Sequence, residues 1–410
     1  MIKDGEFEIF LVAAPGLETA LWAEARSLGF KTARYVPGGV TMKGGWPDVW
    51  RANLEIRGAG RVMVRLGSFK AMHLAQLDKR ARQFPWRQVL RPGVPFRVEA
   101  ACKKSRIYHS GAAAERIERA IAEELGAPVS PEAQVLIRAR IEDDLVTIGI
   151  DTSGELLHKR GHKEAVAKAP MRETMAALFL RQCGYDGVEP VVDPMCGSGT
   201  FVIEAAEIAA GLKPGRSRHF AFEQLATFDG VAWEAMRAPA SGPAPERPRE
   251  TASGPGLEQL SETASGLAPE RPSETASGRT IDATQAVRFH GSDLDAGAIN
   301  MSRANAERAG VAAMTEFRQL EITELVAPAG TPGLVIINPP YGTRIGEKQR
   351  LQHLYRSLGT TLMKRFSGWR VGLITTDASL AKMTGLPFQP PGPPVSHGGL
   401  RVVLYLTGPL

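Results

Sequence analysis

One stretch of the sequence joins an acidic side chain to a glycine-rich turn. VEPVVDPMCGSGTFVIEAA (188–206) runs from a hydrophobic strand to Asp193, through a turn with Gly197 and Gly199, and into a helix. Glycines let the backbone approach a ligand closely, and a helix N-terminus favours a carboxylate or phosphate. The stretch lacks the glycine spacing of a dinucleotide fold and the lysine of a phosphate loop. It therefore fits a nucleotide or S-adenosylmethionine alike, and a purely structural turn is the alternative.

A second stretch, LVIINPPYGTRIGE (334–347), ends an apolar strand on an amide, two prolines and a ring. Pro339 forces Asn338 into an extended conformation, and proline offers no N–H to local carbonyls. The result is a rigid corner with two acceptors, the Asn338 amide oxygen and a backbone carbonyl, beneath the ring of Tyr341. Such acceptors suit an –NH₂ group on a flat ring stacked on the tyrosine. The alternative is a loop in which proline serves only rigidity.

Acidic residues follow two further strands. VRFHGSDLD (287–295) ends in Asp293 and Asp295, and an acid in this position can bind both hydroxyls of a ribose. Asp295 also suits the N-cap of the next helix, so Asp293 is the favoured ribose ligand. QLEITEL offers Glu321 near the expected place of an adenine amino group, or as an ordinary surface acid.

The periodicity of the chain predicts the elements that position these residues. In the second half, strands alternate with helices, which predicts an α/β, doubly wound parallel sheet that binds ligands at the carboxyl ends of its strands. The first half predicts a small α+β unit of strands and amphipathic helices, with Asp143-Asp144 as a hairpin turn. Residues 238–279 contain repeats such as GPAPERPRETASG, without aromatics, and are predicted to be a disordered insertion.

Charge indicates a nucleic-acid partner. The formal net charge is +6, but residues 51–110 hold fourteen Lys/Arg against three acids, a local charge of +11. Such an excess is expected of a module that binds RNA or DNA, although a solvated basic face is the alternative. Three widely spaced cysteines predict neither disulfides nor a metal site. Since no apolar run approaches a membrane span or a signal peptide, we expect a cytoplasmic protein.

In combination, DPMCGSGT, the acid-tipped second strand and NPPYG resemble class I S-adenosylmethionine-dependent amino-methyltransferases. LHKRGHKEAVAKAPMRETMAALFL (157–180) resembles the segment before the sheet domain in THUMP-domain RNA guanine-N2 methyltransferases. The resemblance is strongest to the bacterial 23S rRNA guanine-N2 methyltransferase family. It implies a ferredoxin-like region (1–65), a THUMP domain (66–155) that binds RNA, and a Rossmann-like methyltransferase domain (156–410).

The resemblance also implies roles for individual residues. Those expected to bind S-adenosylmethionine are Asp193, Cys196, Gly197, Gly199 and Thr200 at its methionine end, Asp293 at the ribose, and Glu321 where the family usually has Asp. Those expected to act on the target amine are Asn338 and Pro339 as acceptors and Tyr341 as the stacking ring. Arg172 and Glu173 are expected to border the cofactor, whereas His162 replaces a family aromatic and receives no role.

The expected function is methyl transfer from S-adenosylmethionine to the N2 amine of a guanosine in 23S rRNA. The first alternative is the same reaction on tRNA. The others are adenine-N6 methylation and a non-catalytic RNA-binding factor of ribosome assembly. Neither a metal nor an obligate protein partner is expected.

Overall fold

The computed structural model of the protein describes residues 5–163, 171–238, 288–340 and 347–410. Two predictions fall outside these ranges: the insertion at 238–279, apart from Ala238, and the stacking role of Tyr341. Within the described ranges, none of the helices combines the length and apolar character that crossing a membrane requires.

Residues 5–163 form a first sheet with helices between its strands. In chain order the elements are β1 (Phe7–Val12), α1 (Glu18–Ser27), β2 (Arg34–Val36), β3 (Gly39–Gly44), α2 (Trp46–Glu55), β4 (Arg61–Lys70), α3 (Leu74–Arg82), β5 (Phe96–Lys103), α4 (Ser110–Leu125), β6 (Val135–Glu142) and β7 (Leu145–Asp151). The sheet order is β2-β3-β1-β4-β7-β6-β5. β5 and β6 pair in parallel, whereas the other neighbours pair antiparallel.

Local sequence explains the last hairpin of this sheet. On β6, Ile137, Ala139 and Ile141 are buried while the alternate residues Arg138 and Arg140 are exposed, as a strand with one covered face requires. The two-residue loop 143–144 has positive φ at both positions, which matches the twist of the flanking strands. β4 pairs with β1 on one side and β7 on the other, so the predicted boundary after residue 65 lies within a continuous strand.

The second half forms another sheet. Its elements are α5 (Glu173–Gln182), β8 (Val191–Asp193), α6 (Thr200–Ala209), α7 (Gly230–Arg237), β9 (Phe289–Asp293), α8 (Ala296–Ala309), β10 (Thr315–Gln319), β11 (Leu334–Ile337), α9 (Glu347–Arg365), β12 (Arg370–Thr375), α10 (Ala378–Met383), β13 (Val395–His397) and β14 (Leu400–Leu406). The strand order is β10-β9-β8-β11-β12-β14-β13. The first five strands of this order run parallel. β14 pairs antiparallel with β12, and β13 pairs antiparallel with β14. The predicted α/β, doubly wound architecture is confirmed.

Some boundaries differ from the predicted ones. β8 begins at Val191 rather than Val188 because Pro190 has no N–H to donate to a strand ladder. Several short elements, among them α2, α7 and α10, were not predicted, because a helix of six to ten residues carries little periodic signal.

A buried ionic network joins the two sheets. Arg57, between α2 and β4, places Nη1 2.7 Å from Glu204 Oε1 and 3.3 Å from Glu207 Oε2, both on α6. The Arg57 backbone N–H donates to Glu24 Oε1 at 2.6 Å, and Arg160 Nη2 donates to the Arg57 carbonyl at 2.8 Å. Arg57 is paired with both glutamates, although Glu204 Oε2 and Arg160 Nε are buried without a hydrogen-bond partner among the described residues. The network connects the first sheet to the helix that follows the glycine-rich turn.

Candidate active site

The glycine-rich turn follows β8 and is held against β9. Asp193 is 2% exposed, and its Oδ1 accepts a hydrogen bond from the Met195 N–H at 3.1 Å. The Cys196 N–H donates to the Ser292 carbonyl at 2.9 Å, and Gly197 and Gly199 take φ values of +52° and +83°. These left-handed conformations suit glycine, so the sequence folds here into a tight strand-to-helix turn.

Close packing adds a second requirement at Gly199. A Cβ at this position would lie 3.1 Å from both Cβ and Oγ of Ser302 on α8. Ser302 Oγ in turn donates to the Gly197 carbonyl at 2.8 Å. A side chain at position 199 would therefore require Ser302 to shift, in addition to the strain of a left-handed conformation.

Asp293 connects the second strand to the same turn. Its Oδ2 accepts from the Gly197 N–H at 3.0 Å, and its Oδ1 accepts from the Asp295 N–H at 3.0 Å. Asp295 caps α8, with its Oδ1 accepting from the Gly297 N–H at 2.8 Å. Between the two acids that the sequence offered, the helix cap is therefore Asp295, and Asp293 is the one beside the turn.

Burial changes the acidity of Asp193. Loss of hydration raises the pKa of its carboxyl to about 8, and the nearby charge of Asp293 adds to this rise. The Met195 N–H acts in the opposite direction because it stabilises the carboxylate. A buried acid of this kind is well suited to a cationic partner, whose charge would favour ionisation.

Cys196 turns its side chain into the protein. Its thiol lies 3.9 Å from Ser302 Oγ, and burial raises the pKa of the thiol well above its usual value. A Cβ on Gly291 would lie 3.0 Å from the sulfur, so the thiol packs over the second strand. A buried, protonated thiol is not a nucleophile, and the backbone at this position is the part that faces the turn.

Thr200 belongs to a cluster of three polar side chains with Lys163 and Glu173, of which the sequence did not indicate Lys163. Lys163 Nζ donates to Thr200 Oγ1 at 2.8 Å and lies 3.0 Å from Glu173 Oε1. Its side chain is only 9% exposed. Lys163 was not singled out because it is 37 residues from Thr200 along the chain. The resemblance over 157–180, which drew attention to Glu173, was the available signal.

The corner after β11 carries an unpaired acceptor. Leu334 to Ile337 are fully buried, and the chain then reaches Asn338, whose Oδ1 is buried without a hydrogen-bond partner among the described residues. Pro339 is buried and Pro340 is exposed. Because buried polar atoms are nearly always paired, such an acceptor is expected to meet a donor from a ligand.

The sheet order brings the predicted residues together. β8 pairs in parallel with β9 on one side and β11 on the other, which is the topological switch point of the sheet. Asp193, Asp293 and Asn338 therefore lie at the carboxyl ends of three adjacent strands. Glu321 follows β10, one strand further out, where it is exposed and accepts from Thr323 Oγ1 at 3.3 Å. In the described ranges, no cluster of three or more His, Cys, Asp or Glu residues could hold a metal.

Comparison with known families agrees with this geometry. Residues 160–387, more than half of the chain, match the family described as the RMKL-like methyltransferase domain. The chain belongs to this family. Residues 8–63 match the RlmL ferredoxin-like domain. The predicted family, a methyltransferase preceded by a ferredoxin-like domain, is confirmed.

Two curated relatives carry the same name, ribosomal RNA large subunit methyltransferase K/L. The protein from Psychromonas ingrahamii is 29% identical over 386 residues, covering 92% of this chain and 47% of the relative. The protein from Syntrophotalea carbinolica is 31% identical over 398 residues, covering 93% and 51%. The chain thus spans about half the length of the curated relatives that it matches.

Solved structures of similar fold cover the whole chain. A possible methylase from Clostridium difficile 630 is 26% identical with a TM-score of 0.79, covering 99% of this chain and 98% of its own. SMU.472, a putative methyltransferase complexed with SAH, is 25% identical with a TM-score of 0.80, covering 100% and 99%. A predicted N6-adenine-specific DNA methylase from Listeria monocytogenes is 27% identical with a TM-score of 0.78, covering 98% and 97%.

Proposed function

We propose that the protein transfers a methyl group from S-adenosylmethionine to the N2 amine of a guanosine in 23S rRNA. The observation that carries this proposal is the buried Asn338 Oδ1 at the switch point, which has no hydrogen-bond partner among the described residues and lies beside the strand ends of Asp193 and Asp293. The names of the two curated relatives support rRNA as the substrate. A cytoplasmic location is proposed together with this function.

The residues at the switch point fit S-adenosylmethionine, which when bound supplies an electrophilic methyl group. The buried carboxyl of Asp193 would pair with the ammonium group at the methionine end of the ligand. At the turn, Gly197 and Gly199 have no side chains, so the ligand would pack directly against the protein backbone. Lys163 and Glu173, beside Thr200, add one charge of each sign at the start of α6. The Cys196 side chain packs inward, so its contribution would come from its backbone.

The ribose and adenine positions follow the next two strands. Each carboxylate oxygen of Asp293 already accepts one backbone N–H, but each retains a second lone pair for a ribose hydroxyl. The exposed Glu321 is proposed to reach the adenine amine, a role in which the family usually has Asp. The solved structure of SMU.472, which is complexed with SAH, supports a cofactor of this class.

Asn338 and the Pro339 carbonyl would orient the target amine. A guanine N2 lone pair is delocalised into the ring and is a poor nucleophile. Hydrogen bonds from its two N–H groups to these acceptors would favour a tetrahedral nitrogen, with its lone pair directed at the methyl group. Catalysis would then consist of positioning and electrostatic support, without a strong general base. Tyr341 is proposed to stack on the base and offset part of the cost of unstacking it from RNA.

The proposed domain division assigns 1–65 to a ferredoxin-like region, 66–155 to a THUMP domain and 156–410 to the methyltransferase domain. β4 would be shared by the first two, because it pairs with strands of both. The buried network around Arg57 would hold these domains on α6 and so fix RNA relative to the cofactor.

Asn338→Ala is the direct test of the proposal. Loss of one positioning acceptor should lower the rate of methyl transfer to RNA roughly 10²- to 10³-fold while leaving cofactor affinity unchanged. The rate is measured with labelled S-adenosylmethionine, and affinity by calorimetry. Asn300→Ala, on the exposed face of α8, is the matched control and should retain full rate. Near-normal transfer by Asn338→Ala would contradict the assigned role.

The substrate is identified separately. Mass mapping of modified nucleosides in 23S rRNA and tRNA from a deletion strain should show loss of one N2-methylguanosine from 23S rRNA. Loss from tRNA instead would favour the first alternative. Loss of N6-methyladenosine would favour adenine as the base, the target named for the Listeria neighbour.

A further inference from the structure

The basic excess in residues 51–110 is largely neutralised by carboxylates elsewhere in the chain. Nine of its fourteen cations form ion pairs, mostly with acids distant in sequence: Arg51, Arg57, Arg61, Arg65, Arg82, Arg87, Arg97, Lys103 and Arg106. The other five form no ion pair with another described residue: Lys70, Lys79, Arg80, Arg91 and Lys104. The +11 charge therefore overstates the free cationic surface, and the position of the unpaired cations becomes informative.

Lys70 and Lys104 lie at the same end of the first sheet. Lys70 pairs across the ladder with Leu145, Leu145 pairs with Glu142, and Glu142 pairs with Lys103, so the ends of four strands form one row. Lys104 follows directly after β5. Because β4, β5 and β6 run in the same direction, α3 and α4 also begin at this end.

An exposed aromatic ring follows Lys104 by four residues, in the loop between β5 and α4. Tyr108 is 86% exposed, yet its loop is fastened to the sheet. Ser105 Oγ and the Arg106 N–H donate to Asp144 Oδ1 at 2.8 and 2.9 Å, and Ile107 is 3% exposed. The backbone that carries Tyr108 is therefore anchored to the sheet, while its ring is exposed to solvent. We name the surface formed by Lys70, Met72, Lys104, Arg106 and Tyr108 the Tyr108 edge.

Backbone conformation marks the same place. In the described ranges, the non-glycine residues with positive φ are Lys104 at +48°, Asp143 at +50° and Asp144 at +61°. The two-residue β6–β7 hairpin accounts for the positive φ of the two aspartates. Lys104 lies outside that hairpin, so its positive φ has a different origin. Strained conformations of this kind concentrate at functional sites. Met72, 43% exposed, extends the apolar part of the edge, with its sulfur 3.5 Å from Arg106 Nη1.

The charges at this end favour an anion. Glu142 is paired with Arg140 and Lys103, and Asp144 is paired with Arg106. Asp143, Lys70 and Lys104 form no ion pair with another described residue, so two cations oppose one carboxylate. An exposed ring near the end of the sheet that carries Lys70 and Lys104 matches an unpaired nucleotide, whose base stacks on an aromatic side chain while its phosphates meet lysine.

We propose that the Tyr108 edge binds an unpaired segment of RNA, with a base stacked on Tyr108 and the adjoining phosphates on Lys70 and Lys104. This inference rests on the proposed RNA substrate. It separates two tasks within the chain, since docking of RNA on the first sheet would be independent of the acceptors that orient the target amine.

The ring is tested by fluorescence anisotropy of the full chain with a short single-stranded RNA and with a hairpin. Tyr108→Ala should weaken binding of the single strand roughly 5- to 100-fold, whereas Tyr108→Phe, which keeps the stacking surface, should restore it. Tyr35→Ala removes another exposed ring, 58% exposed, from the first sheet and should leave binding unchanged. Equal affinity of folded Tyr108→Ala and the unaltered protein would overturn the proposal.

The lysines are tested by the salt dependence of the same binding. The double variant Lys70→Gln and Lys104→Gln should reduce the slope of log affinity against log salt by roughly 1.4, about 0.7 for each lost phosphate contact with a single strand. Lys31→Gln with Lys43→Gln is the matched control, because both lysines are exposed away from this edge, Lys43 on β3 and Lys31 in the turn before β2. If the salt-dependence slope of the Lys70→Gln and Lys104→Gln double variant were unchanged, the proposed contacts of these two lysines with RNA phosphates would be wrong.

Methyl-transfer assays distinguish failure of this inference from failure of the proposed function. Asn338→Ala should bind RNA normally and methylate it roughly 10²- to 10³-fold more slowly, whereas Tyr108→Ala should bind RNA weakly and recover its rate at high RNA concentration. Normal RNA affinity of Tyr108→Ala in a protein that methylates RNA would overturn only the docking surface. Tyr108-dependent RNA binding in a protein that methylates no RNA would support the surface and contradict only the activity.

Discussion

At the scale of single residues, the environment of Asp193 determines its chemistry. Any Asp at the end of a strand is expected to be ionised, but burial and the charge of Asp293 raise the pKa of this carboxyl to about 8. In the free protein it is therefore largely protonated near neutral pH. A cationic ligand group would reverse this, because an adjacent positive charge lowers the pKa of a carboxyl.

The stability of the free protein should depend on pH through Asp193. Because the folded-state pKa is raised above the unfolded value of 3.8, the stability that this group contributes is present below about pH 4 and is lost as pH rises through about 8. Asp193→Asn, which cannot ionise, should therefore gain stability relative to the unaltered protein between about pH 5 and 9. Urea unfolding of both proteins across this range measures the difference, and a difference independent of pH would contradict the assignment.

At the scale of elements, the glycine-rich turn is a packing junction as well as a ligand site. Gly199 is in a left-handed conformation and also touches α8, so two separate physical requirements meet at one residue. Gly310, which ends α8, is left-handed at φ +76° but has open space where a Cβ would be. A comparison of substitutions at Gly310 and Gly199 therefore separates two contributions to the loss of stability, that of the left-handed conformation and that of the steric contact with α8.

Gly310→Ala should lower the free energy of unfolding by roughly 1–2 kcal/mol, the cost of a left-handed residue with a Cβ. Gly199→Ala should cost a further 1–3 kcal/mol or so from overpacking against Ser302, and should also weaken cofactor binding. Urea denaturation gives both free energies, and calorimetry gives the affinity. If the two variants lost equal stability, the contact with α8 would not constrain the turn.

At the scale of the whole molecule, the two sheets are joined through buried charge rather than through apolar contact alone. Arg57 is 9% exposed, and the two glutamates that it contacts on α6 are nearly inaccessible. The charges of Glu204 and Glu207 raise the pKa of the Arg57 guanidinium, against the opposing effect of burial. Removing the cation would leave these carboxylates without their main partner in a medium of low polarity.

Arg57→Leu should therefore lower the free energy of unfolding by roughly 3–5 kcal/mol. Arg140→Leu removes an arginine that is 69% exposed and paired with Glu142, and should cost about 0–1 kcal/mol. Urea unfolding monitored by tryptophan fluorescence compares them. A cost for Arg57→Leu as small as that for Arg140→Leu would show that the network does not hold the sheets together.

Local sequence determined much of the fold. Hydrophobic periodicity and the turn positions of glycine and proline depend on residues that are close in the chain. Most strands and helices of both sheets could therefore be predicted with bounds correct to a few residues. The same locality placed Asp193, Asp293 and Asn338 at strand ends. It also favoured Asp295 as the N-cap of α8 and Asp293 as the ligand, and the hydrogen bond from the Gly297 N–H to Asp295 Oδ1 confirms the cap.

Tertiary structure alone decided which distant groups meet. The contact of Lys163 with Thr200, the burial that raises the pKa of Asp193 and the pairing of Arg57 with α6 all join residues far apart in the chain. The basic excess of residues 51–110 is the clearest case, because counting charges cannot show which of them are neutralised. Pairing and burial depend on how strands and helices pack, and that information is shared across the whole chain rather than held in any short stretch.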